Sequence, residues 1–152
     1  MTDPEQKSVP GEEERRQSRQ VEIQNLPVVE KIKLAMTGDK EARGILIKDS
    51  SKQVQEAVLE NQRLTDHEIV AIVSSRMTGE EILRRVADNR NWIKYYQVRL
   101  GLVSNPKTPL PISLKLLDTL TLADLRRLAK SKAISNVIAT AASRLATKKA
   151  QK

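Results

Sequence analysis

Arginine side chains return at a regular spacing along this chain, and arginine is the residue best shaped to bind carboxylate and phosphate groups through two parallel hydrogen bonds. The five residues 42–46 (Ala-Arg-Gly-Ile-Leu) return as 83–87 (Leu-Arg-Arg-Val-Ala) and as 125–129 (Leu-Arg-Arg-Leu-Ala). The offsets are 41 and then 42 residues. This alignment predicts two sets of matching positions: Arg43, Arg84 and Arg126 in one, and Arg85 and Arg127 in the other.

Two roles fit such a row of arginines. If the helices that carry them pack side by side, matching residues lie about 10 Å apart, and their guanidinium groups would bind carboxylates or phosphates. Alternatively, each arginine donates hydrogen bonds to helix ends or carboxylates within the fold. We favour the second role for Arg43, Arg84 and Arg126. For Arg85 and Arg127 we favour exposure or binding, since the first phrase has Gly44 there.

Every aromatic residue of the chain falls within five positions, as Trp92, Tyr95 and Tyr96. Basic residues surround this cluster: Arg90, Lys94 and Arg99. Aromatic side chains among cations stack on nucleic-acid bases or anchor protein interfaces, although the same side chains also fill joints between helices. Helical register with a leucine four positions later predicts Tyr96 in the core. We expect one of Trp92 or Tyr95 to be exposed.

The sequence contains no recognisable catalytic or metal-binding motif. The one histidine, His67, lies between Asp66 and Glu68. Adjacent residues of a helix point about 100° apart, so this triplet makes a poor metal site and is more typical of a helix N-terminus. Phosphate-binding glycine loops, paired catalytic carboxylates and a Ser/His/Asp arrangement are missing. We therefore predict no enzymatic activity, cofactor, metal or small-molecule substrate.

The elements that carry these residues are predicted to be helices. Apolar residues make up 39% of the chain and aromatic residues only 2%, and the aliphatic side chains recur at helical spacing. Val28, Ile32 and Ala35, for example, share one helical face. Three Thr-x-x-acid patterns predict helix starts at Thr65, Thr78 and Thr121. The whole pattern predicts nine short helices in three units, with Asn61 and Asn105 ending the first two units.

The two ends of the chain are predicted to differ from the middle. Residues 1–20 have no apolar periodicity, so we expect a disordered charged tail there, followed by a helical domain over 21–146 and a frayed basic end over 147–152. Neither a signal peptide nor a membrane segment is predicted. The chain has no cysteine, which fits a reducing compartment and predicts a cytoplasmic location.

Two stretches resemble a known repeat signature. Residues 49–61 and 98–106 resemble the Asp…Val-Arg-x-Ala-Val-x-x-Asn-Pro pattern of HEAT-like and armadillo-like repeat proteins, and in particular of the leucine-rich repeat variant. The chain departs from this pattern at Gln55, in place of arginine, and at Gly101, in place of alanine. The resemblance covers roughly residues 26–146. It implies an all-α fold, a short right-handed α-solenoid of about three repeats of roughly 40 residues, and a scaffold or adaptor role.

Charge is concentrated in the second half of the chain. Residues 78–152 contain 15 basic and 5 acidic side chains, a net charge of +10, whereas residues 1–20 and 21–77 each have a net charge of −1. We therefore expect an acidic surface of a partner protein to bind there. The predicted binding residues are Arg84, Arg85, Trp92, Tyr95, Arg99, Arg126, Arg127 and Lys130.

Two alternatives to a protein-binding scaffold stay open at this point. In one, the same Arg and Lys stripe binds nucleic acid while Trp92 or Tyr95 stacks on bases. In the other, the protein is a structural subunit of a larger assembly, because the terminal faces of a short helical repeat stay partly apolar. Composition does not distinguish these alternatives, and membrane binding is not predicted.

Overall fold

The computed structural model describes residues 11–151, and in this range the chain is helical and contains no β-strand. The prediction of an all-α protein is confirmed. Eleven helices occupy the described residues: α1 (Glu12–Gln24), α2 (Val28–Thr37), α3 (Lys40–Leu46), α4 (Lys52–Leu59), α5 (Asp66–Ser74), α6 (Glu80–Asp88), α7 (Arg90–Ile93), α8 (Tyr96–Ser104), α9 (Leu110–Leu117), α10 (Leu122–Lys130) and α11 (Asn136–Ala150). The chain divides into two compact units between Leu64 and Thr65.

The first unit contains α1 to α4 around a small aliphatic core. Helix α2 packs against α4 and α3, while α1 packs against α3. The buried side chains are Ile23, Ala35, Ala42, Leu46, Val54, Ala57 and Val58. Alanines at the contacts allow these short helices to approach closely, and burial of the branched side chains provides the stability that helices of seven to ten residues lack alone.

The second unit contains α5 to α11. Helix α5 packs against α8, α8 against α9, and α11 against both α10 and α9. Val86, Leu128 and Ile138 were predicted to be core residues, and all three are buried. The same prediction was wrong for Ala141, which is half-buried, because the core-facing side of α11 carries Ala142 instead. Consecutive residues of a helix point about 100° apart, so an error of one position changes the face.

Local capping fixes several helix starts. The predicted capping box at Thr65 is confirmed: its Oγ1 accepts from the Glu68 amide at 3.3 Å, and the Glu68 carboxylate accepts from the Thr65 amide at 2.8 Å. Thr121 likewise accepts from the Asp124 amide at 3.3 Å. The box predicted at Thr78 is wrong. Helix α6 begins one residue later, and the Thr78 hydroxyl donates to the Ile72 carbonyl at 2.6 Å, which satisfies the end of α5 instead.

One tertiary contact recurs in both units. The Asn61 amide, just beyond α4, donates to the carbonyl oxygens of Ala35 at 2.9 Å and Gly38 at 3.2 Å, at the end of α2. The Asn105 amide, just beyond α8, donates in the same way to the carbonyl oxygens that end α5, those of Val73 at 2.7 Å and Ser75 at 2.9 Å. Each asparagine therefore satisfies carbonyls that the first helix of its group leaves without an intrahelical partner.

A lysine makes the matching contact in the last group of helices. Lys149 follows Asn105 by 44 residues, the interval that separates Asn105 from Asn61. Its ammonium group donates to the Asp118 carbonyl at 3.0 Å and the Leu120 carbonyl at 2.7 Å, just beyond α9. The three groups α2–α4, α5–α8 and α9–α11 thus share one internal contact, although the sequences around it differ. The right-handed solenoid stays a prediction.

Both ends of the described chain are more ordered than the sequence predicted. Residues 12–20 were assigned to a disordered tail, yet they belong to α1. Helix α1 docks through the buried side chain of Ile23 and through an exposed ionic contact, in which the Arg19 guanidinium binds the Asp39 carboxylate at 2.9 and 3.0 Å and the Glu41 carboxylate at 3.1 Å. Residues 147–150, predicted to fray, are helical because Lys149 is held. Residues 1–10 and 152 lie outside the described residues.

Replacing Arg19 by glutamine is expected to raise the pKa of Asp39. The hydrogen bond from Arg19 is the main reason that the pKa of Asp39 lies below its usual value, and the Ala42 amide adds to the effect. The pKa in the variant should therefore rise but stay below its usual value. A carboxyl-carbon NMR titration measures this, with Asp49 as the unchanged internal control. An unchanged Asp39 titration would contradict the docking of α1 through Arg19.

The sign of the pH dependence follows from this contact. A carboxylate with a lowered pKa in the folded protein adds stability above its unfolded pKa, and that contribution disappears as the pH falls through the folded value. Acidification below the usual range of an aspartate should therefore weaken the contact between Arg19 and Asp39. The contact is exposed, so its contribution is small and screened by salt.

Candidate cationic binding surface

The helix starts show that the predicted register of the arginine phrase is off by one in its first copy. The residues that cap α3, α6 and α10 are Asp39, Gly79 and Thr121, at offsets of 40 and 42. On this alignment Arg43 matches Leu83 rather than Arg84. Arg43 is only 5% exposed, and its guanidinium donates to the Gly38 carbonyl at 2.8 Å. The predicted structural role fits Arg43, but the row of three matching arginines is wrong.

The two arginines of α6 differ in how they are held. The Arg84 guanidinium forms an ion pair with Glu80, one turn earlier, at 2.8 Å. The Arg84 side chain is exposed. Ion pairs at this spacing on a helix surface contribute little to stability, so Arg84 does not have the structural role that was predicted. Arg85 is also exposed. Both side chains are accessible from solvent, with Arg84 already neutralised by its neighbour.

Helix α10 presents three cations on one surface, which we name the α10 patch: Arg126, Arg127 and Lys130. All three are exposed, and their spacing of three and four residues puts them on neighbouring turns. The side chains of Arg126 and Lys130 have no ion pair or hydrogen-bond partner within residues 11–151. Arg127 lies 3.6 Å from Asp124, but its side chain is 79% exposed. The α10 patch is therefore the part of the predicted site whose charge is least compensated.

A small cavity lies next to the α10 patch, between α8 and α10. Its volume is about 210 Å³. Its lining combines apolar and polar groups, namely Leu100, Ser104, Asp124, Arg127, Leu128, Ser131 and Ile134. Leu128 and Ile134 are buried in the core, while Arg127 belongs to both the cavity and the patch. The sequence gives no signal for this cavity, because its residues come from α8, α10 and the loop after α10.

Tyr96 lies at the edge of the core rather than inside it, contrary to prediction. Its hydroxyl accepts from the Thr121 amide at 3.1 Å and donates to the Asp124 carboxylate. A phenol needs hydrogen-bond partners when it loses water, and these lie at the start of α10. Tyr96 therefore joins the start of α8 to the start of α10, and it also orients the one carboxylate that lines the cavity.

Arg99, predicted to bind a partner, is used within the second unit. One guanidinium nitrogen donates to the Ile93 carbonyl at 3.0 Å and the Lys94 carbonyl at 2.8 Å, while Nε donates to the Thr119 hydroxyl at 3.1 Å. The guanidinium also lies 5.5 Å from the centre of the Tyr96 ring. These contacts satisfy the end of α7, so Arg99 positions the aromatic segment instead of extending the α10 patch.

Tyr95 is the exposed aromatic residue, at 41%, and Trp92 is half-buried. The pKa of Tyr95 is raised, because its hydroxyl is hydrogen-bonded to the Asp66 carboxylate and lies close to that negative charge. The Lys94 ammonium lies 6.0 Å from the centre of the Tyr95 ring. A carboxylate at this position repels phosphate, so Tyr95 fits a protein contact better than a nucleic-acid base stack.

His67 lies exposed in the first turn of α5, between two acidic residues, as the sequence predicted. Within residues 11–151, no group of three His, Cys, Asp or Glu side chains is arranged to hold a metal ion. None of the helices in that same range is long and apolar enough to cross a bilayer.

Known proteins do not identify this site. Comparison with protein-family models, curated proteins and solved structures gives no significant match.

Proposed function

We propose that the protein is a non-enzymatic scaffold or adaptor whose α10 patch binds an acidic segment of a partner protein. An apolar side chain of the partner occupies the cavity, and neighbouring carboxylates pair with Arg126, Arg127 and Lys130. One observation carries the proposal: Arg127 lines the cavity and belongs to the patch, so apolar and ionic contacts lie side by side.

The size of the cavity favours a side chain over a cofactor. Pockets for small molecules usually span about 300 to 1,000 Å³, whereas this cavity measures about 210 Å³. Interfaces commonly concentrate binding energy where one large side chain enters a desolvated pocket surrounded by polar contacts. Leu100, Leu128 and Ile134 provide the apolar lining for such an anchor, and Ser104 and Ser131 provide hydrogen-bonding groups.

The charge pattern favours an acidic protein over a nucleic acid. Nucleic-acid binding by this segment would use Trp92 or Tyr95 to stack bases next to neutralised phosphates. Trp92 is half-buried, and Tyr95 contacts Asp66. The α10 patch offers three cations, enough for a short acidic segment but few for a phosphate backbone. The net charge of +10 over residues 78–152 supports attraction to either polyanion and so does not decide between them.

We also propose that the groups α2–α4, α5–α8 and α9–α11 are repeats of one HEAT-like unit. The contact made by Asn61, Asn105 and Lys149 supports this, because each donates to carbonyl oxygens at the end of the first helix of its group although the surrounding residues differ. Repeat proteins with such units commonly present extended surfaces to other macromolecules. A cytoplasmic location stays a prediction.

Binding of defined probes tests the proposed function. The probes are a glutamate-rich peptide that contains leucine, the same peptide with serine in place of leucine, and a single-stranded oligonucleotide. We expect the leucine peptide to bind with a component that resists salt, because the cavity contact is apolar. The serine peptide should bind less tightly. Tighter binding of the oligonucleotide, with affinity that falls log-linearly with salt, would instead support the nucleic-acid alternative.

A further inference from the structure

The first unit contains an open cleft that shares no residue with the α10 patch. It lies between α1, α3 and the loop after α3, and its volume is about 950 Å³. The residues that matter to its chemistry are Arg16, Lys31, Lys40, Gly44, Lys48 and Ser50. This volume lies at the upper end of the range of about 300 to 1,000 Å³ that is typical of small-molecule sites.

The cleft is open because Gly44 lies on α3 where the other two groups of helices carry arginine. The corrected register matches Gly44 with Arg84 and Arg126. A Cβ atom built on Gly44 would meet no heavy atom within 4 Å. Glycine within a helix costs about 1 kcal/mol relative to alanine. The absence of a side chain at Gly44 therefore leaves the cleft open and lowers the stability of α3.

The acidic residues of the cleft are already paired inside the first unit. The Lys31 ammonium binds the Asp49 carboxylate at 2.7 Å. Burial acts to raise the pKa of Asp49, but hydrogen bonds from Lys31 and the Ser51 amide outweigh burial, so the pKa is lowered and the carboxylate stays charged. The Glu41 carboxylate is bound by Arg19 at 3.1 Å. Neither acid is left to neutralise the other cations of the cleft.

Three cations of the cleft have no such compensation. Arg16, Lys40 and Lys48 are exposed, and none of their side chains forms a hydrogen bond or ion pair with any residue of the described range 11–151. They come from α1, the first turn of α3 and the loop after α3, so they face the cleft from different sides of its lining. Cations brought together by separate elements favour a ligand with more than one negative charge.

We infer that this cleft binds a small molecule carrying phosphate groups. A phosphate monoester or a terminal phosphate of an anhydride carries more negative charge than a carboxylate near neutral pH. Lysine binds phosphate as a point charge, and arginine binds it through two parallel hydrogen bonds, so Lys40, Lys48 and Arg16 suit it. The Ser50 hydroxyl and the Gln20 and Gln24 amides add neutral donors, and Ile45 adds an apolar contact. The site is independent of the proposed function.

Calorimetric titration of the full chain with inorganic pyrophosphate at physiological salt tests the inference. Wild-type protein should give saturable binding. Gly44→Leu should weaken it at least about tenfold, since a leucine side chain fills the cleft where charge-assisted hydrogen bonds form. Lys48→Gln should weaken binding similarly. Gly44→Ala should bind like the wild type and be more stable, which shows that the helix itself tolerates a side chain.

Lys33→Gln is the matched control, because Lys33 is on α2 outside the cleft lining, is 71% exposed and pairs only loosely with Glu30 at 3.7 Å. It should leave pyrophosphate binding unchanged. The inference is overturned if wild-type protein gives no saturable heat. It is equally overturned if folded Gly44→Leu binds normally, or if Lys33→Gln weakens binding as much as Lys48→Gln, since binding would then reflect net charge alone.

Discussion

Replacing Asn105 by alanine is expected to lower the free energy of unfolding by about 2 to 4 kcal/mol, since each buried polar group left without a partner costs about 1 to 3 kcal/mol. Asn105 is only 5% exposed. Its amide donates to two carbonyls at the end of α5, and its side-chain oxygen accepts from the Lys107 amide at 3.0 Å. Asn105→Asp should cost more than alanine, because its carboxylate would face the Val73 and Ser75 carbonyl oxygens.

Denaturant unfolding followed by circular dichroism measures these changes, and Asn89→Ala provides the control. The Asn89 side chain accepts from two amides at the start of α7 but reaches no other helix end. Loss of such a cap typically costs about 1 kcal/mol. If Asn105→Ala proved no more costly than Asn89→Ala, the contact would be a local turn rather than the tie that holds α5 to α8.

Reversing the α10 patch with Arg126→Glu, Arg127→Glu and Lys130→Glu is expected to weaken binding of the leucine-containing acidic peptide by at least about a hundredfold, because like charges facing each other at an interface cost several kcal/mol. The free energy of unfolding should change little. All three side chains are exposed, and only Arg127 has an ion-pair partner within residues 11–151, at 3.6 Å.

A second triple variant separates the patch from net charge. Lys107→Glu, Lys115→Glu and Arg144→Glu change the charge of the second unit equally, and these residues are exposed but do not line the cavity. Fluorescence anisotropy with the labelled peptide should show modest loss for this control. Equal loss in the two triple variants would mean that the peptide senses overall charge and that the α10 patch is only a solvated surface.

Helical periodicity and capping were enough to predict the class of fold. Aliphatic residues at helical spacing identified the core faces of α6 and α10. Thr65 and Thr121 marked two helix starts, because each accepts a hydrogen bond from the amide three positions later. These signals are local, so a sequence states them directly. They were less reliable for α11, where several small residues leave the core face ambiguous by one position.

Polar side-chain contacts explain what the sequence did not predict. Arg43 occupies a leucine position because its buried guanidinium reaches the Gly38 carbonyl, and this shifted the predicted arginine alignment by one residue. Residues 12–20 of α1 were assigned to a tail because the contacts of Arg19 with Asp39 and Glu41 give no apolar signal in the sequence. Polar docking has no periodic signature, and its partners lie 20 or more residues away.

The charge density of the sequence predicted binding by the segment around Arg126, Arg127 and Lys130, and the structure shows that these three side chains are exposed. The sequence could not show that Arg99 is used by the α7 carbonyls, nor that a cavity forms beside Arg127. Both results depend on how α8 approaches α10. The internal contacts of Arg99 and the lining of the cavity could therefore not be predicted from charge density alone.

Affinity capture from a nuclease-treated lysate, compared between the wild type, the α10 patch variant and the matched triple control, tests the central claim most directly. The account predicts a partner protein that the wild type and the control retain at physiological salt and the patch variant loses. Mass spectrometry should find an acidic segment with an apolar residue in that partner, and its isolated peptide should compete for the protein. Retention by the patch variant, or loss of all binding on nuclease treatment, would contradict the claim.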